Sequence, residues 1–479
     1  MQLKGFVSGA YKLQSTNINC QRCVNLYPQL DESGTGKNVA SLLGTPGLKL
    51  FATLDAGEHP VRGMLTTSKD GRLFAVTSTT LWEVMSDGTS ITRGTLNSSA
   101  GFVGIADNGG QLMVVDGPNG YTYDLAANTL TSIADFEANG GGSTVTFLDG
   151  YFLFTRPRSQ VFVITQPYST AIDWTMFASA ESSPDGLLVA LADKELLWLF
   201  GTSSVEVWYD SGDATFPFQR TQGGVIQFGL AAARTPVRLA NTIAWLGKNE
   251  QGQGIVYMAN GMAPQRISTH AIEQDLATYS TLADATGYSY QQDGHEFYVL
   301  NFPSGNKTWA YDVSTQLWHE RAFTGTRGLE RHRGEMHVEA FGKHILSDYA
   351  TGKLYFLDRF SLNDAGTRIT RIRSTPFVSD ELKNIFFSKF WLDMEVGLGA
   401  DGVPIGTPEP QLMLRWSDDG GHKWSEEYWR GLGARGDTYK RVMWWRLGRT
   451  RQRVFEIKIT DDVLVAINDA FIEMKGGVS

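Results

Sequence analysis

Residues 110–125 read GQLMVVDGPNGYTYDL: an apolar strand, a polar Gly/Asn turn, and a second strand carrying aromatic residues. That order is the signature of a β-hairpin. Looser copies follow the same plan at 71–85 (GRLFAVTSTTLWEVM), 150–165 (GYFLFTRPRSQVFVIT), 194–210, 241–261, 294–312 and 342–358. Their starts recur about every 40 to 50 residues, the period of propeller blades. Short strands such as VRGMLTTS, GFVGIADN and GLLVALAD precede the hairpins, and ITRGTL, LTSIA and APQRIS follow them. Four strands per unit make a blade. Seven units count out, or six with one irregular insertion. The one helical pattern is HAIEQDLATYSTLAD (270–284), set between two units.

A propeller ring closes when its last blade borrows a strand from the other end of the chain. LLGTPGLKLFATL (42–54) suits that role, with a Gly/Pro turn before a short apolar run, and Leu48 to Leu54 is expected to pair onto the last blade. Residues 1–46 before it, polar and Gly-rich around LDESGTGKN, read as an N-terminal arm without a core of its own. Past NDAGT (363–367) the strands lengthen, as in IFFSKFWLDMEVG and RVFEIKITD, and the alternation of faces predicts a β-sandwich. The expected division is therefore arm 1–46, all-β propeller 47–366 and β-sandwich 367–479.

Composition bounds the function. The chain has 479 residues, enough for two or three packed units, with 52 Gly and 12% aromatics, which suits many strands and tight turns. Lys+Arg 42 against Asp+Glu 51 leaves a net charge of -9, so the surface as a whole does not grip phosphates. No apolar run approaches a membrane span, and MQLKGFVSGAYKLQ lacks the apolar core of a secretory signal. Synthesis in the cytoplasm is expected, with no membrane partner. Cys20 and Cys23 form a lone Cys-x-x-Cys pair with no second pair to complete a zinc site, so they read as structural thiols. His332, His337 and His344 sit among glutamates in GLERHRGEMHVEAFGKH, but the spacing fits no HExxH or facial triad. No metal or cofactor is expected.

SDDGGHKW (417–424) fits Ser-x-Asp-x-Gly-x-x-Trp, the Asp-box that recurs on the blades of sialidases. Here it occurs once, outside the propeller. Ser417, Asp419, Gly421 and Trp424 are expected to brace a hairpin turn, with Asp419 accepting turn N–H groups. A glycan-binding or sialidase-like propeller is the alternative, but no arginine trio, Tyr nucleophile and acid are picked out by spacing. One stretch stands apart in charge: residues 430–458 hold nine Lys or Arg against Asp437 and Glu456, +7 on an acidic chain. With tryptophans interleaved it could stack on nucleic acid. Arg and Trp are also favoured at protein interfaces, and that reading leads; Trp444, Trp445, Arg446, Arg449 and Arg451 are the expected contact residues.

AESSPDGLLVALADKELLWLFGTSSVEVWYDSG (180–212) resembles the packaged DNA stabilisation proteins of short-tailed phages, also called tail accessory factors or tail nozzle proteins. The likeness lies in Ala-Glu-Ser-x-Pro-Asp-Gly, an apolar strand, Phe-Gly-x-Ser-Ser and a second strand with an acidic residue. CVNLYPQ, GTPGLKLF, WSDDGGHKW and KRVMWWRLGRTRQRVFEIKIT continue it in order along the chain, and 248–290 departs most. The resemblance implies a virion tail protein without catalysis. It implies a ring of six copies below the portal and its adaptor proteins, beside other tail proteins (needle, fibre or tailspike). Such a ring extends the channel for double-stranded DNA, which passes without sequence recognition, and retains packaged DNA until ejection.

Overall fold

The computed structural model describes residues 1–249, 251–399 and 409–477. The parts of the expected sandwich at 400–408 and 478–479, and residue 250 of the divergent middle stretch, lie outside them. Seven four-stranded units follow one another around a ring. Five are separate sheets, spanning 61–95, 104–132, 145–179, 187–226 and 237–266. The sixth, 286–325, continues into a larger sheet, and the seventh combines three strands of 334–358 with Gly47–Thr53. The first strands of the blades lie around the axis.

Middle strands read as apolar runs rather than alternating ones because neighbouring blades cover both of their faces. Leu112, Met113, Val114 and Val115 are all buried, as are Leu197 to Phe200 and Ile243 to Leu246. Outer strands such as Ser90–Thr95 keep one face wet and stay polar. The helical pattern yields only His270–Leu276, capped by the Thr269 hydroxyl accepting from the Ile272 N–H. The last residues of the expected helix, 277–284, instead turn back toward the sixth blade, where Tyr279 packs on Phe302.

Gly47–Thr53 pairs antiparallel with Lys353–Asp358, setting Leu48 opposite Leu357 and Ala52 opposite Leu354. Its outer edge is held in turn by Asn363–Asp364: the Leu48 N–H donates to Asp364 Oδ1 at 3.1 Å, and the Ala365 N–H to Leu48 O at 2.7 Å. Asp364 is buried, facing Arg321 of the sixth blade, Arg371 and Asp462. Burial raises its carboxyl from 3.8 to about 7 against the pull of both guanidiniums.

The sandwich is built from two sheets. One is ordered Leu26–Leu30, Ala40–Gly44, Ala466–Gly476, Ile385–Met394 and Val442–Trp445. The other is ordered Arg371–Ser374, Gln452–Ile459, Gln411–Ser417 and Tyr428–Gly431. Between them Phe390 stacks on Phe455 at 4.9 Å, and Leu412, Leu414, Ile457, Ile467 and Ile472 fill the core.

The first 46 residues are no free arm. Leu3, Phe6, Leu26 and Leu42 are buried in the core that the sandwich shares with the sixth blade. The polar composition of the segment misleads, because its few apolar residues are the ones that insert. Its two-residue strand Cys23–Val24 lies parallel to Leu317–Gly325 of the sixth blade and antiparallel to Arg371–Ser374 of the sandwich. Propeller and sandwich thus share one continuous sheet. Asn25, at φ 52°, follows this strand and bridges both sides: its Nδ2 donates to Ala322 O at 2.8 Å and Thr370 O at 2.9 Å, and its Oδ1 accepts from the Ala322 N–H at 2.9 Å.

Asn25→Ala is expected to destabilise the chain by about 3 kcal/mol, measured by denaturant unfolding, since it strands three buried backbone groups and puts alanine at positive φ. Deleting residues 1–55 is expected to lower the melting temperature of the propeller itself, read by scanning calorimetry. Asp364 supplies a pH signature. Its raised folded value means that its share of stability is complete below pH 4 and is lost as pH rises through about 7, on the order of a few kcal/mol. Asp364→Asn is expected to flatten the fall in stability between pH 4 and 8.

Candidate partner interface

The propeller axis is the first place to look for chemistry. Its first strands enclose a cavity of about 720 Å³, lined in part by Phe102, Arg234, Tyr288, Glu335 and His337. Arg234 lies over the Phe102 ring at 5.0 Å and reaches Glu335 at 3.8 Å, and Arg331 approaches the same carboxylate at 3.9 Å while stacking on Tyr349. One carboxylate is thus shared by two stacked guanidiniums beside the cavity. A cavity of this size holds a small molecule and not a duplex.

His337 Nε2 and His344 Nδ1 stand 3.1 Å apart, and burial lowers His337 to about 3. Among the described residues no three His, Cys, Asp or Glu side chains converge as a metal site. Cys20 and Cys23 are free and buried, and burial pushes both thiols up to about 11, far from a reactive thiolate.

The Asp-box is a brace. Ser417 Oγ donates to Asp419 Oδ1 at 2.8 Å and accepts from the Gly421 N–H at 2.8 Å, and Asp419 Oδ1 takes the Lys423 N–H at 2.8 Å. These bonds hold the Asp419 carboxyl below its ordinary value. Gly420 and Gly421 take φ of 78° and 90°, and Trp424 closes the turn by donating to Gly421 O at 3.1 Å beneath the Arg415 guanidinium. The Ser417 hydroxyl, Asp419 Oδ1 and the Trp424 indole are all spent on the turn itself. Asp185 of AESSPDG works the same way, accepting the Ser203 and Ser204 N–H groups at 2.6 and 2.9 Å, while Glu206 accepts the Ser182 N–H at 2.7 Å and the Trp208 indole at 2.8 Å. The motif pins the entry of the fourth blade onto its own hairpin.

The Arg/Trp edge is divided by strand alternation. On Val442–Trp445, Trp444 points inward, 1% exposed, against Phe390, with its indole donating to Tyr428 O at 2.8 Å. Trp444, expected at an interface, is therefore a core residue out of reach of a partner: a period of two puts consecutive tryptophans on opposite faces. Trp445 points outward, 49% exposed, and with Phe386, Arg430, Arg446 and Arg449 lines an open groove of about 890 Å³. Arg451 is exposed outside that groove. Internal partners occupy other cations of the stretch: Lys440 pairs with Glu409, Lys458 with Glu427, and buried Arg453 with Asp418. The groove arginines make no ion pair among the described residues. Phe386 was invisible in the charge count; the signal for it is IFFSKF, in which Ile385 and Phe387 turn inward and leave Phe386 outside.

Comparison with known families now has a fold to rest on. The family model described as "Bacteriophage P22 Gp10, beta-propeller" matches residues 1–361, and "Bacteriophage P22 Gp10, beta-sandwich" matches 370–475. The chain belongs to the bacteriophage P22 gp10 family. Within it, the tail hub protein gp10 of Salmonella phage P22 is 24% identical over 210 residues, covering 41% of this chain and 43% of that protein. The chain therefore aligns with less than half the length of this curated relative. Among solved structures, the WD40 β-propeller domain of Doa1 (10% identity, TM-score 0.42, covering 65% of this chain and 97% of that one) is similar. So is a streptogramin B lyase (10% identity, TM-score 0.44, covering 66% and 98%). At that level neither carries an argument. The gp10 relative is a tail hub protein of a phage.

Asp419→Ala is expected to lower the melting temperature slightly by removing two turn hydrogen bonds, with no turnover of sialosides in either protein.

Proposed function

We propose that this chain is a wall element of a short phage tail: a ring of six copies below the portal and its adaptor proteins, extending the DNA channel and retaining packaged DNA until ejection. The observation that carries the reading is the single sheet running from the propeller into the sandwich, on a chain whose family match spans both. A sheet shared through buried backbone bonds makes one stiff block, which suits a wall bearing load. The working division is a lacing segment to residue 46, a propeller over 47–366 and a sandwich from 367.

The small size of the cavity at the propeller axis, about 720 Å³, supports a DNA path between copies and not through each of them. An excess of carboxylates, net -9, suits a bore along which a duplex slides without sequence recognition. Trp445, Arg446, Arg449 and Arg451 are the contacts proposed for assembly. Needle, fibre or tailspike proteins are the further neighbours in this reading, with the finished protein in the virion tail after synthesis in the host cytoplasm.

Negative-stain images of the purified chain mixed with its portal–adaptor complex are expected to show a ring beneath the portal; particles with bare portals would reject the reading. Arg446→Glu, Arg449→Glu and Arg451→Glu together are expected to abolish that ring while leaving the melting temperature within about 2 °C of the parent, because the residues are exposed and unpaired.

A further inference from the structure

The aromatic–arginine groove of the sandwich has a chemical opposite on the same molecule. Asp149 lies in the first turn of the third blade and Glu195 in the corresponding turn of the fourth, on the same face of the propeller, with Asp210 at the end of a strand reaching that face. Tyr168 rises between them from the last turn of the third blade, 75% exposed and in a left-handed conformation, φ 54°, with its N–H held by Gly150 O at 2.6 Å. Tyr151 lies beside it. The carboxylates are close enough to repel: burial and the charges of Asp210 and Glu195 raise the Asp149 carboxyl. Lys194, next in sequence to Glu195, does not relieve them, since its ammonium is turned to Asn241 O at 2.5 Å. Asp149, Glu195 and Asp210 have no ion pair among the described residues.

The groove presents the converse. Trp445, with Arg430 5.8 Å from its ring centroid, and Phe386, 45% exposed, form an apolar floor, and Arg446 and Arg449 stand at its rim with no carboxylate lining it among the described residues. A flat aromatic with a hydroxyl at its tip, ringed by carboxylates, is the partner that such a floor and rim accept: the ring stacks on Trp445 or a guanidinium, and the rim charges pair. We propose that the groove of one copy receives Tyr168 and the acidic face of the third and fourth blades of a second copy. The two patches differ, so the contact is head-to-tail, and such contacts propagate around a ring when the rotation closes. The inference rests on the proposal that copies of this chain assemble side by side; it adds which surfaces meet.

The test uses the full chain carrying the photo-reactive aromatic benzoylphenylalanine in place of Tyr168, an exposed site that so keeps a ring, with Trp445 unchanged. The purified protein and portal-bound assemblies are irradiated, and linked peptides are mapped. Linkage of 168 to 445 between copies is expected, falling at least tenfold when Arg446→Glu and Arg449→Glu are added, or when Asp149→Arg and Glu195→Arg are added. Recovery is expected when both sets are combined in one chain, since the charges are then exchanged. Rings on the portal whose copies link elsewhere would overturn the contact and leave the ring reading standing. The 168–445 link in dimers or open chains, without portal-bound rings, would uphold the contact and remove the ring. Absence of both overturns both. An unchanged link in the charge-reversed variants, with melting temperatures as in the parent, would also overturn the contact.

Discussion

The architecture depends on two residues of backbone. Cys23 and Val24 give their hydrogen bonds to two different domains, and nothing else in the sheet could take their place: without them the outer strand of the sixth blade and the first strand of the sandwich would face each other across an unpaired gap. An edge left open inside a molecule strands N–H and C=O groups away from water, each at a cost of about 1–3 kcal/mol. The residues around the stitch are chosen accordingly. Val24, Ala322 and Ile372 form a small core of their own. Arg373, wholly buried, spends its guanidinium on the carbonyls of Gly5, Phe6, Gly9 and Arg22 and on Gln21 Oε1 at 2.6 to 3.1 Å, so one side chain fastens the whole lacing segment to the sandwich. The burden of a buried cation is offset because all of its donors are directed at oxygens.

Closure of the propeller uses the same device on the other side of the segment. Gly47–Thr53 lies between the seventh blade and Asn363–Asp364, held on both edges. Around it, Arg321, Arg371 and Asp364 make a buried polar junction among the sixth blade, the closing strand and the sandwich, in which Arg321 Nε and Arg371 Nε and Nη1 have no hydrogen-bond partner among the described residues. Propeller, closure and sandwich are coupled there by charge as well as by strands.

Much of this was legible in the sequence, for physical reasons. A blade's middle strands are covered on both sides, which writes apolar runs at a fixed period, and turns that need positive φ write Gly, Asn and Asp between them. The Asp-box was readable as a turn because its chemistry is local. What escaped is long-range. Cys23–Val24 is too short to carry a pattern, and LYPQL and CVNLYP look like parts of a polar arm until their partners, hundreds of residues away, are placed. The candidate interface was half legible. Charge counting found the arginine edge, yet only the register of Val442–Trp445 against Ile385–Met394 separates Trp444 from Trp445, and only the fold brings Phe386 beside them.

The two ends of the chain meet as well: the Met1 ammonium donates to Ile472 O at 2.7 Å, and the Leu3 N–H to Ala470 O at 2.9 Å. A polypeptide emerging from the ribosome can fold its first five blades, each a sheet of its own, as they appear. The strands before them, however, must wait for partners made hundreds of residues later. Until those partners exist, that stretch has no home for its apolar side chains. Such a chain acquires its rigidity in one late step, in which the disc shuts and its second domain locks on together.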